Sequence, residues 1–352
     1  MGLIQIRGTV RRITLQHLAE LGRVQYIVRV FLRSNVRQLM VEYVHLAVHS
    51  EFSLVDSVVR VQVLLEQVEQ MRMPAIALTD QSNVFAMVKF YRTAIKHGIK
   101  PIIGADVWVG ESQEDRNPSR LSLLCTNVEG FKNLSRLLTL GYIEGQQHAE
   151  PMLLKEWLKP DRLEGLIALS GGQFGEIGRA LLSANPESAS EILDEWTTRF
   201  PGRYYLELHR VGRVDEDIHV ARAVNLASQY AVPIVATNDV RFVRRDDFEA
   251  HETRICIQRG RTLDDPTRPR EYTEDQYLKS SAEMAEVFFD LPEALANSLH
   301  IAQRCSFQLS LGQPCLPDLS VPEGKDPAGY LREKSLDGLS IRGLSGKTSY
   351  EG

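Results

Sequence analysis

Seven short apolar runs, each ending in a polar cluster, recur along this chain and leave few folds open to it. They are VHLAVHS ending at Ser50, AIALTD at Asp80, KPIIGAD at Asp106, RLSLLCTN at Asn127, LIALSG at Gly171, YYLELH at His209 and PIVATND at Asp239. Segments of helical period lie between them. The first runs from Leu54 to Met71, with apolar residues in steps of four and three; others run Val84 to His97, Gly130 to Leu140, Glu176 to Ser183, Ala189 to Phe200 and Glu216 to Tyr230. Strand and helix alternate through Phe242, which predicts an α/β class with a barrel of parallel strands. In such a barrel the C-terminal strand ends converge on one face, where ligands and catalytic groups collect.

Beyond Arg245 the pattern becomes helix and loop: Asp247 to Gln258, an extended RGRTLDDPTRPREY stretch, Ser281 to Phe289 and Glu293 to Cys305, with Pro292 suited to a first helical turn. The tail from about Gly338 is rich in Gly and Ser without apolar period and reads as a chain cut before its next domain. Residues 1–41 stand apart at the other end, with seven arginines, no lysine and Glu20 as the lone acid before Glu42. They read as an ill-ordered or independently folded extension rather than a transit peptide. The expected organisation is an extension at 1–41, a barrel at 42–245, helical segments at 246–337 and a tail at 338–352.

With 43% hydrophobic and 25% charged residues in 352, a sizeable core is feasible. The net charge of -5 supplies no global positive field to recruit nucleic acid. Cys125, Cys256, Cys305 and Cys315 form no CxxC pair, and no stretch approaches the roughly 20 apolar residues of a membrane span. A reduced cytoplasmic protein is expected, with Cys125 a small buried thiol inside its strand.

The strand ends offer His49, Asp80, Asp106 and Asp239, residues suited to holding catalytic cations. Their neighbours are not. Ala47 has no donor atom, the Gln81 amide is a poor transition-metal ligand, and Arg120 and Arg241 stay protonated and repel cations. The pattern reads as a decayed metal site in which Arg241 pairs with Asp239 or Asp106. His45 lies about 13 Å along a strand from His49, too far to share an ion, and reads as structural. SGGQFGEIG at Ser170 to Gly178 fits no phosphate-loop pattern and reads as a tight strand-to-helix turn. Arg241, Arg244 and Arg245, followed by Asp246 and Asp247, read as a salt-bridged surface.

Taken together, VHLAVHSEFSLVDS, AIALTDQSN, KPIIGADVWV, NVEGFKNLSRLL, LIALSGGQFGEIGRALL, YYLELHRVGR, PIVATNDVRF and DDFEAHETRICIQRGRTLDD resemble the N-terminal region of the bacterial DNA polymerase III alpha subunits over residues 42–335. The resemblance implies a polymerase and histidinol phosphatase (PHP) domain, a distorted seven-stranded (βα) barrel. It implies, for members with an intact phosphoesterase site, His at 47 and 49, Asp-His at 80 and 81, Glu at 106, His near 120, Cys near 172 and Asp and His at 239 and 241. This chain keeps His49, Asp80 and Asp239 but has Ala47, Gln81, Asp106, Arg120, Gly172 and Arg241. It is similar to the branch in which the barrel binds no metal and proofreading belongs to a separate exonuclease subunit, epsilon, docked on this domain.

The resemblance further implies that the palm aspartates and their Mg²⁺ lie outside this chain, so that the fragment is a scaffold without catalytic residue or cofactor of its own. Other polymerase III holoenzyme subunits, and DNA through the parent polymerase, are the remaining implied partners. Two alternatives stand beside it: a residual metal-dependent phosphoesterase or 3'-5' exonuclease using His49, Asp80, Asp106 and Asp239, and a free-standing module that regulates replication.

Overall fold

The computed structural model describes residues 42–147, 150–183, 185–312, 320–347, 349 and 350, together with the backbone of 5, 6, 9 and 10. Apart from those four, the arginine-rich extension at 1–41 lies outside the described residues, as does Cys315. The chain divides into two units, Met1–Gln308 and Leu309–Gly352.

Six of the seven apolar runs form strands of one curled sheet: β1 (Ala75–Leu78), β2 (Lys100–Gly110), β3 (Ser119–Cys125), then after a short hairpin of β4 (Gln146–Gln147) and β5 (Glu150–Leu154), β6 (Leu166–Leu169), β7 (Tyr204–Leu208) and β8 (Ile234–Ala236). The order is β8-β7-β6-β3-β2-β5-β4, with β1 also on β2. Most strand residues are buried on both faces, which is why these runs lack the alternation of a half-exposed sheet. The seventh run makes no regular ladder. It lies extended and closes the ring, giving backbone bonds on one side from Ala77 N to His45 O (2.8 Å) and Thr79 N to Val48 O (2.9 Å), and on the other from His49 N to Val240 O (3.1 Å) and Val240 N to Ala47 O (3.0 Å).

One stave departs from the expected parallel barrel. β3 runs antiparallel to both neighbours, with Gly104 opposite Leu124 and Asp106 opposite Ser122 on β2, and Leu123 opposite Ala168 on β6. Only the short segment Glu111–Pro118 separates β2 from β3, too little for a parallel crossover. Reversal moves Asn127 away from the mouth; there it caps the helix Val128–Ile143 by accepting from Gly130 N. It brings Arg120, at the strand's beginning, to the mouth instead.

The helices are α1 (Val61–Gln70), α2 (Met87–Lys96), α3 (Val128–Ile143), α4 (Glu176–Leu182), α5 (Ser188–Arg199), α6 (Glu216–Tyr230), α7 (Phe248–Arg259), α8 (Ser281–Val287) and α9 (Pro292–Arg304). The expected helix from Leu54 begins seven residues late, at Val61: Glu51–Ser53 is a 3-10 turn and Leu54 adopts φ 60°. Residues 246–308 belong to the same unit as the barrel. From α9, Ile301 and Ala302, with Cys305 just beyond, join Val44, Leu46, Ala77, Ile102, Leu124, Ile167 and Val235 in one apolar core. In the second unit α10 (Pro327–Ile341) is capped by Asp326 and continues past Gly338, where loss of apolar period predicted the tail; it has no buried residue, so nothing periodic marked it. Among the described residues no helix is long and apolar enough to cross a membrane.

Candidate functional site

Alternation along the strands builds the mouth. Going up β2 from the core residue Ile102, the same face carries Gly104 and then Asp106; down β3 from Leu124 come Ser122 and Arg120; after Tyr205 on β7 come Glu207 and His209; after Val235 on β8 come Thr237 and Asp239. Each stave is thus apolar within the core and polar toward one end, and the polar ends meet in a nearly dry enclosure: Asp106 and Asp239 are 0% exposed, Arg120 and Arg241 4%.

Ion pairs fill that enclosure. Asp106 accepts from Arg120 Nε (2.7 Å), from Arg120 Nη2 and from Ser122 Oγ, and lies 2.7 Å from His49 Nε2. Asp239 accepts from Arg120 (2.7 Å) and Arg241 (2.6 Å) on one oxygen, and from Arg213 and Gln276 (3.0 Å) on the other. Asp56 lies 2.9 Å from His49 Nδ1 and pairs with Arg241. One guanidinium, that of Arg120, therefore bridges two buried carboxylates from staves on different sides of the mouth.

The charges hold each other ionised. Burial alone pushes the carboxyls of Asp56, Asp106 and Asp239 up, yet Arg241 and His49 beside Asp56, Arg120 and His49 beside Asp106, and Arg120, Arg241 and Arg213 around Asp239 keep all three below the usual carboxylate range. Burial and Arg241 depress the His49 imidazole, but Asp56 and Asp106 outweigh them and raise it.

The candidates divide accordingly. His49, Asp106 and Asp239 join one network, whereas Asp80 sits in its own cradle, accepting from Ser50 N (2.6 Å), Ser53 Oγ (2.7 Å) and Ser50 Oγ (2.8 Å). Burial raises its pKa despite those donors. Ala47 is buried and offers only backbone. The Gln81 amide donates to Asp106 O at 3.3 Å and Ser82 Oγ at 3.2 Å. Arg241 pairs with Asp239 and Asp56, not with Asp106, and is buried rather than part of the expected surface cluster; Arg244 and Arg245 are exposed and pair with Asp247 and Glu274. His45 is buried, 2.7 Å from Lys279 O. Cys125 is a buried thiol raised by its burial, and Cys305 is pushed up to about 12.

Gly172 bears on His209. At φ 57°, it passes so close to the imidazole that a Cβ would lie 2.5 Å from His209 Cε1 and Nδ1. Gly172→Ala is expected to lose about 2 kcal/mol or more through clash and left-handed strain. Replacing His209 by Ala should recover the steric part alone. Equal losses from Gly172→Ala in the two backgrounds, measured by urea unfolding, would contradict this contact.

At the mouth, the imidazole and carboxylates are already engaged with one another and with guanidinium groups. Both His49 nitrogens face carboxylates, and the carboxylates it faces are taken up by guanidinium groups. Among the described residues, no three His, Cys, Asp or Glu side chains are arranged to hold a metal ion. Sequence reasoning missed Asp56, Arg213, Gln276 and Glu207. Asp56 was hidden inside the expected helix, although the polar Asp56-Ser57 pair interrupts its apolar run. Glu207, which accepts from Gly171 N (3.0 Å) and Thr237 Oγ1 (2.6 Å), was signalled only as a charge inside the apolar YYLELH. Nothing in the turn holding Arg213 or the loop holding Gln276 marked them.

Residues 45–211, which span most of this curled α/β barrel, match the PHP domain family. The chain is also similar in sequence to DNA polymerase III subunit alpha. It is 52% identical over 304 residues to that subunit of Pseudomonas aeruginosa, covering 86% of this chain and 26% of the relative. With the Escherichia coli K12 subunit it shares 42% identity over 301 residues, covering 85% and 26%. The chain thus spans about a quarter of the length of the curated relatives it matches. A solved amidohydrolase from Chromobacterium violaceum aligns at TM-score 0.40 and 12% identity, covering 60% of this chain and 96% of that one.

Proposed function

We propose that this chain is the non-catalytic scaffold of a cytoplasmic DNA-directed DNA polymerase, supporting the polymerase and docking its proofreading exonuclease. The observation that carries the non-catalytic half is Arg120 bridging Asp106 and Asp239. A metal-dependent phosphoesterase needs open coordination positions and a water made acidic by the ion, whereas here permanently charged guanidinium groups neutralise the carboxylates. Nucleotidyl transfer, with its Mg²⁺, belongs in this reading to the remainder of the parent polymerase. Homology to the alpha subunit supports membership of the polymerase III holoenzyme.

Protein prepared in zinc- and manganese-rich medium is expected to carry far less than one equivalent of either metal and to hydrolyse no phosphate ester. Stoichiometric metal that disappears in His49→Ala would establish the phosphoesterase instead. Titration with the proofreading subunit tests the docking half, which fails if no complex forms.

A further inference from the structure

The helix α2 turns an apolar face to solvent. Phe85 is 62% exposed, Val88 43% and Ile95 56%, while Phe90 and Ala94 fill the buried side. Spacings of four and three place Val88, Arg92 and Ile95 along one stripe of the helix, with Lys96 at its end and Phe85 in the turn just before it. The helix contains Lys89, Arg92 and Lys96 and no acidic residue. Lys89 pairs with Glu51 at 3.4 Å, but Arg92 and Lys96 have no carboxylate partner among the described residues.

The loop beside the start of α2 carries a further exposed apolar side chain at a conformational cost. Leu54 is 65% exposed and adopts φ 60°, ψ -67°, with Val55 N bonded to Ser53 O at 2.7 Å, the strained hand of the γ-turn. A bulky residue in that region is held there by its surroundings. Asn83 donates to Phe52 O (3.0 Å), Lys89 lies over the Phe52 ring (5.5 Å), and Arg254 donates to Leu54 O. The first two contacts tie the loop to the start of α2, and the third ties it to α7.

We propose that the outer stripe of α2, with Phe85 and Leu54 near its start, is the docking surface for an acidic amphipathic segment of a protein partner. Resting on the reading above, that partner is the proofreading exonuclease subunit. Exposed apolar side chains gathered on one surface mark interaction sites, and here Val88 and Ile95, with Phe85 and Leu54 near the start of the helix, supply the area to be buried. The free guanidinium and ammonium groups of Arg92 and Lys96 supply complementarity to carboxylates and steer the encounter. Duplex DNA would use the cations but leave the apolar stripe uncovered, and it meets a chain of net charge -5.

The test is calorimetric titration of the chain with the exonuclease subunit of the same organism, using Phe85→Ser/Ile95→Ser, Arg92→Glu/Lys96→Glu and, as a control on α3, Ile143→Ser. Both double variants should weaken binding about tenfold or more at unchanged melting temperature, the charge variant also flattening the salt dependence, and the control should bind like the parent. Should Phe85→Ser/Ile95→Ser melt early, Ile95→Ser alone serves. Binding by the parent that neither double variant weakens overturns the α2 surface and leaves docking intact; no binding by the parent overturns both. A short DNA duplex that binds the parent, is released by Arg92→Glu/Lys96→Glu and is retained by Phe85→Ser/Ile95→Ser would assign the stripe to nucleic acid and overturn the proposal.

Discussion

Arg120→Met is expected to cost about 3–5 kcal/mol of folding stability, the range for removing one partner from a buried ion pair. Methionine keeps much of the length and none of the charge, so the loss isolates electrostatics from cavity formation. Asp106 would retain only His49 and Ser122 as partners, and Asp239 would lose one of its three guanidinium groups. Both carboxylates are fully buried and have no water to turn to. Urea midpoints measure the effect. The exposed Arg136→Met serves as control, its surface pairs being expected to contribute less than about 1 kcal/mol. Combining Arg120→Met with Asp106→Asn should recover part of the loss, because the uncompensated charge is then gone. A penalty below about 1 kcal/mol for Arg120→Met would mean that the bridge does not hold the staves together.

Stability should also fall as pH drops from 6.5 toward 4, through two buried histidines. Burial lowers His45 from 6.5 to about 4, against the Lys279 carbonyl that favours its charged form. Burial, reinforced by His209, does the same to His219. The unfolded chain takes up these protons near 6.5, the folded chain only near 4, so between those values the unfolded state binds more protons and folding weakens with acidification. Each histidine contributes on the order of 3 kcal/mol at most, from roughly 1.4 kcal/mol per pH unit. His45→Gln, which keeps a donor for the Lys279 carbonyl, should flatten the profile across this window; an unchanged slope would refute the assignment. The mouth network acts elsewhere. Its depressed aspartates stabilise above their unfolded value of 3.8 and lose that contribution only as pH falls through their lower folded values. Raised His49 contributes fully below 6.5 and ceases to contribute as pH rises through its folded value.

The barrel was legible because hydrophobic periodicity is a local property. Runs such as AIAL after Pro74 have little choice but to be strands buried on both faces, and the bounds of α6, Glu216–Tyr230, follow directly from its apolar spacing. Boundaries set by distant partners were not legible. Residues 54–60 carry helical spacing, yet the chain there bends so that Asp56 reaches Arg241 and its backbone carbonyl meets His251 Nε2 at 2.9 Å. Those bonds lie 185 and 195 residues away in sequence, and no local pattern records them.

By itself, the sequence determined the seven apolar runs, the apolar core and the presence of Ala47, Gln81, Arg120 and Arg241 beside the candidate ligands. It did so because side-chain chemistry and period are written residue by residue. Only the tertiary structure decided the direction of β3, and hence that Arg120 stands at the mouth between Asp106 and Asp239, and that Asp56, Arg213 and Gln276 complete the charge balance. Strand direction and long-range pairing arise from how the closed ring can be packed and how its buried charges find partners, conditions that act on the whole molecule at once.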